Sequence, residues 1–147
     1  IHILLIVYVL YNDPKFFKAF KEKYSSSSLK ESEMQLIKTK LEKLFNSNHL
    51  YLNNSLSIED LSKELNVKTH HISQTFTNVF NENFNDYVNR FRVEYSKKLL
   101  VDPSYHNFKI EAIAKDSGFN NKVTFYKSFS KFTNLTPSAY RKMHKKV

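Results

Sequence analysis

The chain has 147 residues, with no cysteine, no tryptophan, three prolines and one glycine. The missing cysteine excludes disulfides, thiolate nucleophiles and cysteine zinc sites, and fits a reducing compartment. A single glycine, where average usage of about 7% would supply roughly ten, leaves little material for hairpin turns and favours an all-helical fold. No paired carboxylates, glycine-rich phosphate loop or nucleophile–base set occurs, so the chain does not read as an enzyme and no cofactor is expected. His70 and His71 are adjacent, which on a helix turns them about 100° apart, so no two-ligand metal face and no metal site is expected. The one glycine, Gly118, stands in "AKDSGFNNKVTF" between two helical-looking segments.

What is present is apolar, aromatic and basic. Hydrophobic residues make up 41%, with 13 Phe and 9 Tyr, enough for one globular domain with an appendage. The formal charge is +9, and it is unevenly placed: residues 1–89 carry 10 Lys/Arg against 10 Asp/Glu, whereas residues 90–147 carry 13 against 4. A positive excess confined to the last third points to a polyanionic partner, either nucleic acid or an acidic membrane surface.

The opening "IHILLIVYVLY" is eleven residues without formal charge. That is short of the roughly 20 needed to cross a bilayer, and it lacks the basic start and cleavage site of a signal peptide. Lys15, Lys18, Lys21 and Lys23 follow directly, as at a cytoplasmic membrane boundary. Residues 1–24 therefore read either as the end of a transmembrane helix with its basic flank or as a core segment of a truncated domain. Residues 25–48 read as a polar linker and an amphipathic helix, opened by Ser28-x-x-Glu31 at capping-box spacing and carrying Met34, Ile37, Leu41, Leu44 and Phe45 on one face.

From Ser57 the helical signals follow closely. Ser57-x-x-Asp60 caps a short helix with Ile58, Leu61 and Leu65 inward, Asn66 ends it, and Thr69 caps a second with Ile72, Phe76, Val79 and Phe80 inward. A longer helix over about 84–100 stops at Asp102-Pro103. A short helix from Ile110, a turn at Gly118, and a helix capped by Asn121 with Phe125, Phe129 and Phe132 inward come next. Thr136-Pro137 opens the last, over 137–144.

These helices contain a duplication. A shift of 52 residues carries Ile58, Glu59, Leu61 and Lys63 onto Ile110, Glu111, Ile113 and Lys115. Beyond the turn a shift of 53 carries Ile72, Phe76, Asn81 and Tyr87 onto Phe125, Phe129, Asn134 and Tyr140. Asn66 faces Gly118 in this alignment, the two residue types that most readily take positive φ. Each unit, over about 57–81 and about 109–132, reads as a helix-turn-helix. The connector of roughly 17 residues spans about 25 Å, able to hold two reading helices on one side of a duplex whose groove repeats every ~34 Å.

The stretches "LSIEDLSKELNVKTHHISQTF", "NFNDYVNRFRVEYSKKLL" and "IEAIAKDSGFNNKVTFYKSFSKFTNLTPSAYR" resemble the DNA-binding domain of the AraC family of bacterial transcription regulators, over about residues 50–144. The resemblance implies a homeodomain-like pair of helix-turn-helix subdomains within 49–147, double-stranded promoter DNA and RNA polymerase as partners, and action in the bacterial cytoplasm. The upstream part is similar to a subgroup held at the cytoplasmic face of the inner membrane. The family's cysteine-based alkyl-transfer variant is excluded by the absence of cysteine.

On the first recognition helix the outward side carries His70, Gln74, Thr77 and Asn78, with Ser73 at its flank. On the second, Lys122, Val123, Thr124 and Lys127 face out, and all of these but Asn78 are candidate base contacts. Val123 and Thr124 suit a thymine methyl, Gln74 an adenine, and Lys127 a guanine or phosphate. Thr69, Asn121, Arg90, Arg92, Lys131 and Arg141 are candidate phosphate contacts, and Asn66 and Gly118 are structural turn residues. The competing reading is a membrane-tethered or protein-interaction adaptor on a helix-turn-helix scaffold without specific DNA readout. The sequence leaves the oligomeric state open.

Overall fold

In the computed structural model, which describes residues 29–144, every regular element is helical. The order is α1 (Glu31–Asn48), a 3-10 turn (Leu50–Leu52), α2 (Ile58–Leu65), α3 (Thr69–Thr75) running into a π-helical turn (Phe76–Phe80), α4 (Phe84–Val101), a 3-10 turn (Pro103–Tyr105), α5 (Ile110–Asp116), α6 (Lys122–Thr133) and α7 (Pro137–His144). The apolar opening with its basic flank and the Ser28 cap lie outside the described residues. Among the described residues no helix is long and apolar enough to cross a membrane.

Helix α1 buries Met34, Ile37, Leu41 and Phe45. Phe45 meets Tyr87 edge-on at 4.9 Å between ring centroids and Phe91 at 5.2 Å, so the linker helix is anchored to the connector α4. The second core joins Val93, Leu99 and Leu100 of α4 to Ile113, Phe119, Phe125 and Phe129. The connector is thus shared, its N-terminal half packing under the first unit and its C-terminal half under the second.

The duplication is visible bond by bond. Leu61 and Ile113, Ile72 and Phe125, and Phe76 and Phe129 are paired by the sequence shift and all are buried. Tyr87 packs on Phe76 at 5.1 Å and Tyr140 on Phe129 at 5.5 Å. In the first turn Val67 N–H donates to Ser62 O and Asn66 N–H to Lys63 O. In the second, Phe119 N–H donates to Ala114 O and Gly118 N–H to Lys115 O. Both are the paired hydrogen bonds of a Schellman stop, which satisfies the last carbonyls of a helix. Asn66 and Gly118 take φ of 51° and 85°, and Asn81 and Asn134, which end the two second helices, take 55° and 58°.

Two expectations need correction. Thr69 does not cap the first recognition helix: it is the first helical residue, and the N-cap is Lys68, which makes no side-chain cap. A lysine side chain has only donors and cannot satisfy the free N–H groups there. Ser57 and Asn121 do cap their helices, accepting from Asp60 N–H and Thr124 N–H. Second, the first recognition helix is not regular α to its end. Asn81 N–H and Glu82 N–H both reach Phe76 O, and the wider turn holds Phe76 and Phe80 around Tyr87, at 5.1 and 4.6 Å.

The unequal caps have a measurable consequence. Asn121→Ala is expected to lower stability by about 1 kcal/mol, and Lys68→Asn to raise it by a similar amount, both read from urea midpoints.

Candidate nucleic-acid interface

The two recognition helices, Thr69–Phe80 and α6, are each held by a short helix behind them and by the connector below. Their inner faces are fixed by Ile72 and Phe76 in one case and Phe125 and Phe129 in the other, so the opposite faces are set by helical geometry. His70, Ser73 and Thr77 are exposed, and Gln74 is half-buried. Ser73 is therefore more exposed than Gln74, the reverse of the helical-wheel expectation. Thr77 Oγ1 donates to Ser73 O at 3.1 Å, which leaves its oxygen able to accept. Thr69 is half-buried at the helix start.

The rings of His70 and His71 sit 4.1 Å apart, tilted by 69°, closer than their divergence on a helix suggests. Burial first, then the neighbouring His70 and Lys68, push the His71 imidazole below its ordinary pKa. Among the described residues no group of three or more His, Cys, Asp or Glu could hold a metal ion.

On α6, Lys122, Val123, Thr124 and Lys127 are all exposed. Val123 is 62% exposed, an apolar side chain at the tip of a helix that the other described residues leave uncovered. Lys122 Nζ pairs with Glu111 Oε1 at 2.5 Å, and that hydrogen bond holds the Glu111 carboxyl below the usual range. Lys127 carries no ion pair among the described residues.

The arginines and the remaining lysine are engaged within the fold. Arg90 Nη2 pairs with Glu82 Oε1 at 2.6 Å, and Lys131 Nζ with Asp86 Oδ1 at 2.7 Å, tying α6 to the first turn of α4. Arg92 Nε donates to Tyr51 O at 2.6 Å and Nη2 to Asn53 O at 2.8 Å, clamping the 3-10 turn against the connector. Burial pushes its guanidinium down, yet an arginine stays charged. Arg141 Nη1 donates to Phe108 O at 2.9 Å. Its Nε and Nη2 are also buried and have no hydrogen-bond partner among the described residues.

Gly118 lies against this clamp. A Cβ built there would stand 2.5 Å from Tyr51 O, 3.0 Å from Leu52 Cα and 3.1 Å from Arg92 Nε. The turn thus has two requirements: a positive φ, and room for the chain that Arg92 holds. Only the first was legible from sequence.

Sequence reasoning also passed over Asn85 and Asn89 on the connector. Their i, i+4 spacing, a polar pair on a helix that also buries Tyr87, Val88, Val93 and Leu100, was the available signal.

A family profile described as "Helix-turn-helix domain" matches residues 61–143. An uncharacterized HTH-type transcriptional regulator of Staphylococcus aureus (strain COL) is 32% identical over 92 residues, covering 63% of this chain and 12% of that protein. The Msm operon regulatory protein of Streptococcus mutans is 28% identical over 139 residues, covering 95% of this chain and 48% of that protein. The chain thus spans less than half the length of either relative. Among solved structures, a Listeria innocua protein of unknown function superposes with a TM-score of 0.63 at 29% identity, covering 74% of this chain and 97% of that one. The C-terminal domain of the two-component response regulator yesN from Fusobacterium nucleatum gives 0.58 at 27% identity, covering 76% and 99%.

Proposed function

Because the chain belongs to the AraC-type helix-turn-helix family of transcription regulators, we propose that it binds double-stranded DNA sequence-specifically, with its two recognition helices in successive major grooves. The observation that carries this is the matched pair of second helices, each with its apolar face locked in a core and its outer face open. A connector of 18 residues, about 27 Å long, sits between them. Val123 supports the same reading, since its exposed isopropyl group has the chemistry of a thymine-methyl contact. His70, Ser73, Gln74 and Thr77 form the first reading surface, and Val123, Thr124 and Lys127 the second, with Lys122 steadied by Glu111.

Lys131 is in a surface ion pair whose carboxylate can be exchanged for a phosphate at small cost, since exposed pairs contribute only about 0–1 kcal/mol, whereas the Arg90 pair with Glu82 is part-buried and held by two nitrogens. Arg92 and Arg141 serve the fold first. The DNA is promoter DNA in a bacterial cytoplasm, and RNA polymerase is the next partner in line. The membrane tether expected from residues 1–24 is tested by whether the full-length protein sediments with membranes.

Selection of a duplex from a random pool tests the main reading. A preferred sequence with two half-sites about one helical turn apart is expected, with affinity falling steeply as salt rises. Recovery of no preferred sequence overturns it. On the selected duplex, Lys127→Ala is expected to relax base preference in one half-site at a cost of about 1–3 kcal/mol. Lys131→Ala should weaken all sequences alike and lower the salt slope by about 1.

A further inference from the structure

The connector helix carries Asn85, Asn89 and Arg92 at i, i+4 and i+7, on one face. That face lines a groove of about 330 Å³ together with Asn121 and Thr124 at the start of the second recognition helix. Asn85 also lines an adjoining groove of about 290 Å³ with Ser73 and Thr77 of the first. The two grooves meet at Asn85 and run from one recognition helix to the other, and no carboxylate lines either of them.

Internal hydrogen bonds determine which end of each amide is left over. Asn121 Oδ1 accepts from Thr124 N–H at 2.8 Å, and Asn89 Oδ1 accepts from Arg92 Nη1 at 3.4 Å. Both oxygens are committed to the protein, so what each side chain has left to offer is its NH2 group, a donor. Asn85 is exposed, and neither end of its amide has a hydrogen-bond partner among the described residues. The Arg92 guanidinium adds a fixed positive charge to the same wall. Donors, a cation and no acid describe a surface for an anion with several acceptor oxygens. When two helices of one chain occupy successive major grooves on one side of a duplex, what crosses between them is the sugar–phosphate backbone flanking the minor groove.

We infer that this strip binds the phosphodiesters between the two half-sites, through the NH2 groups of Asn85, Asn89 and Asn121, making the connector a third DNA-contacting element. The inference rests on the two-groove reading proposed above. It assigns the strip affinity without base preference. Because amides are uncharged, they add nothing to the counterion release that lysines and arginines produce.

The test uses the whole chain and the duplex selected by the wild type. Asn85→Ala/Asn89→Ala together are expected to weaken selected and unrelated duplexes alike by about tenfold, since hydrogen bonds to phosphate are charge-assisted. The slope of affinity against salt should stay at the wild-type value, and the thermal midpoint should fall only by what the lost Asn89–Arg92 bond contributes. Single methylphosphonate linkages, which remove one phosphate charge each, are then placed between the half-sites. At least one should weaken the wild type and leave the double variant unaffected. A double variant that binds like the wild type, or responds to every methylphosphonate as the wild type does, overturns the inference.

Should the double variant unfold, Asn85→Asp decides. It is an exposed position, and the variant should lose at least tenfold in affinity, as a carboxylate against a phosphate should. Asn107→Asp, the same charge change in the exposed turn after the connector, should change it less than about twofold, since exposed charges away from the phosphates are screened. Equal losses for the two overturn the inference. If the wild type selects no duplex, the two-groove reading has failed before any variant is made, and the inference falls with it.

Discussion

Gly118→Val is expected to lower stability by about 3 kcal/mol and to abolish DNA binding in the same step. Two independent costs add at this residue. A β-branched side chain at a φ of 85° is strained by at least about 1–2 kcal/mol. Its Cβ would also stand 2.5 Å from Tyr51 O, a contact with backbone that no side-chain rotation relieves. Overpacking of that kind costs typically 1–3 kcal/mol. Against a total stability of about 5–15 kcal/mol, a loss of this size is readily measured in urea. Gly118→Ala shares the clash and the φ but not the branching, so it should fall between wild type and valine. Asn66→Gly, at the matching turn of the first unit, should change stability by only a few tenths of a kcal/mol, because asparagine already tolerates this conformation. A valine variant with wild-type stability and binding would show that neither φ nor the approach of the 50–52 turn constrains this position.

Arg92→Ala is the second large effect, at about 2–3 kcal/mol, in the range of charge-assisted hydrogen bonds plus a carbonyl left without its donor. The guanidinium makes two bonds in different directions, to Tyr51 O and Asn53 O, and lies 5.7 Å from the Phe119 ring. Lysine keeps the charge and loses the planar fork, so Arg92→Lys should lose most of the same stability while retaining more of the affinity for DNA. If both variants keep wild-type stability and lose affinity, the residue acts on phosphate and the clamp is incidental. Because Arg92 and Gly118 meet the turn at the same carbonyl, Tyr51 O, their effects should fall short of additivity in a double-mutant cycle.

The fold could be read from the chain to a large extent, and for a definite reason. Its cues are local: apolar spacing, Ser57 and Asn121 as caps, proline after Thr136, and a duplication that repeats them. Each of these acts within a few residues, and each is found where the spacing put it, while the matched positive φ of Asn81 and Asn134 came from the structure. The two local corrections have different causes. Threonine suits a cap, yet the one-residue difference between the two turns puts Lys68 at the cap position. The π turn at Phe76–Phe80 answers to Tyr87 on another helix, which periodicity does not report.

The candidate site was legible only in part. Outward positions follow from inward ones, so Val123, Thr124 and Lys127 could be named from the wheel. Where the cations go could not be named. Arg90 to Glu82, Lys131 to Asp86, and Arg92 to two backbone carbonyls are partnerships across 8, 45 and 39–41 residues, and a charge in a sequence does not disclose which neighbour will meet it. Nor does an asparagine disclose which end of its amide the protein will occupy.

By itself, then, the sequence determined an all-helical chain, two equivalent helix-turn-helix units, the faces they turn outward and a basic final third. Those follow from steric and periodic rules that operate within one turn of helix. Only the tertiary structure decided why the single glycine is irreplaceable. Its φ is a local matter that Asn66 meets without glycine, but the approach of the Tyr51–Leu52 backbone comes from more than sixty residues away. The absence of a side chain at Gly118 is needed to let that strand of chain pass, and Arg92 holds it there.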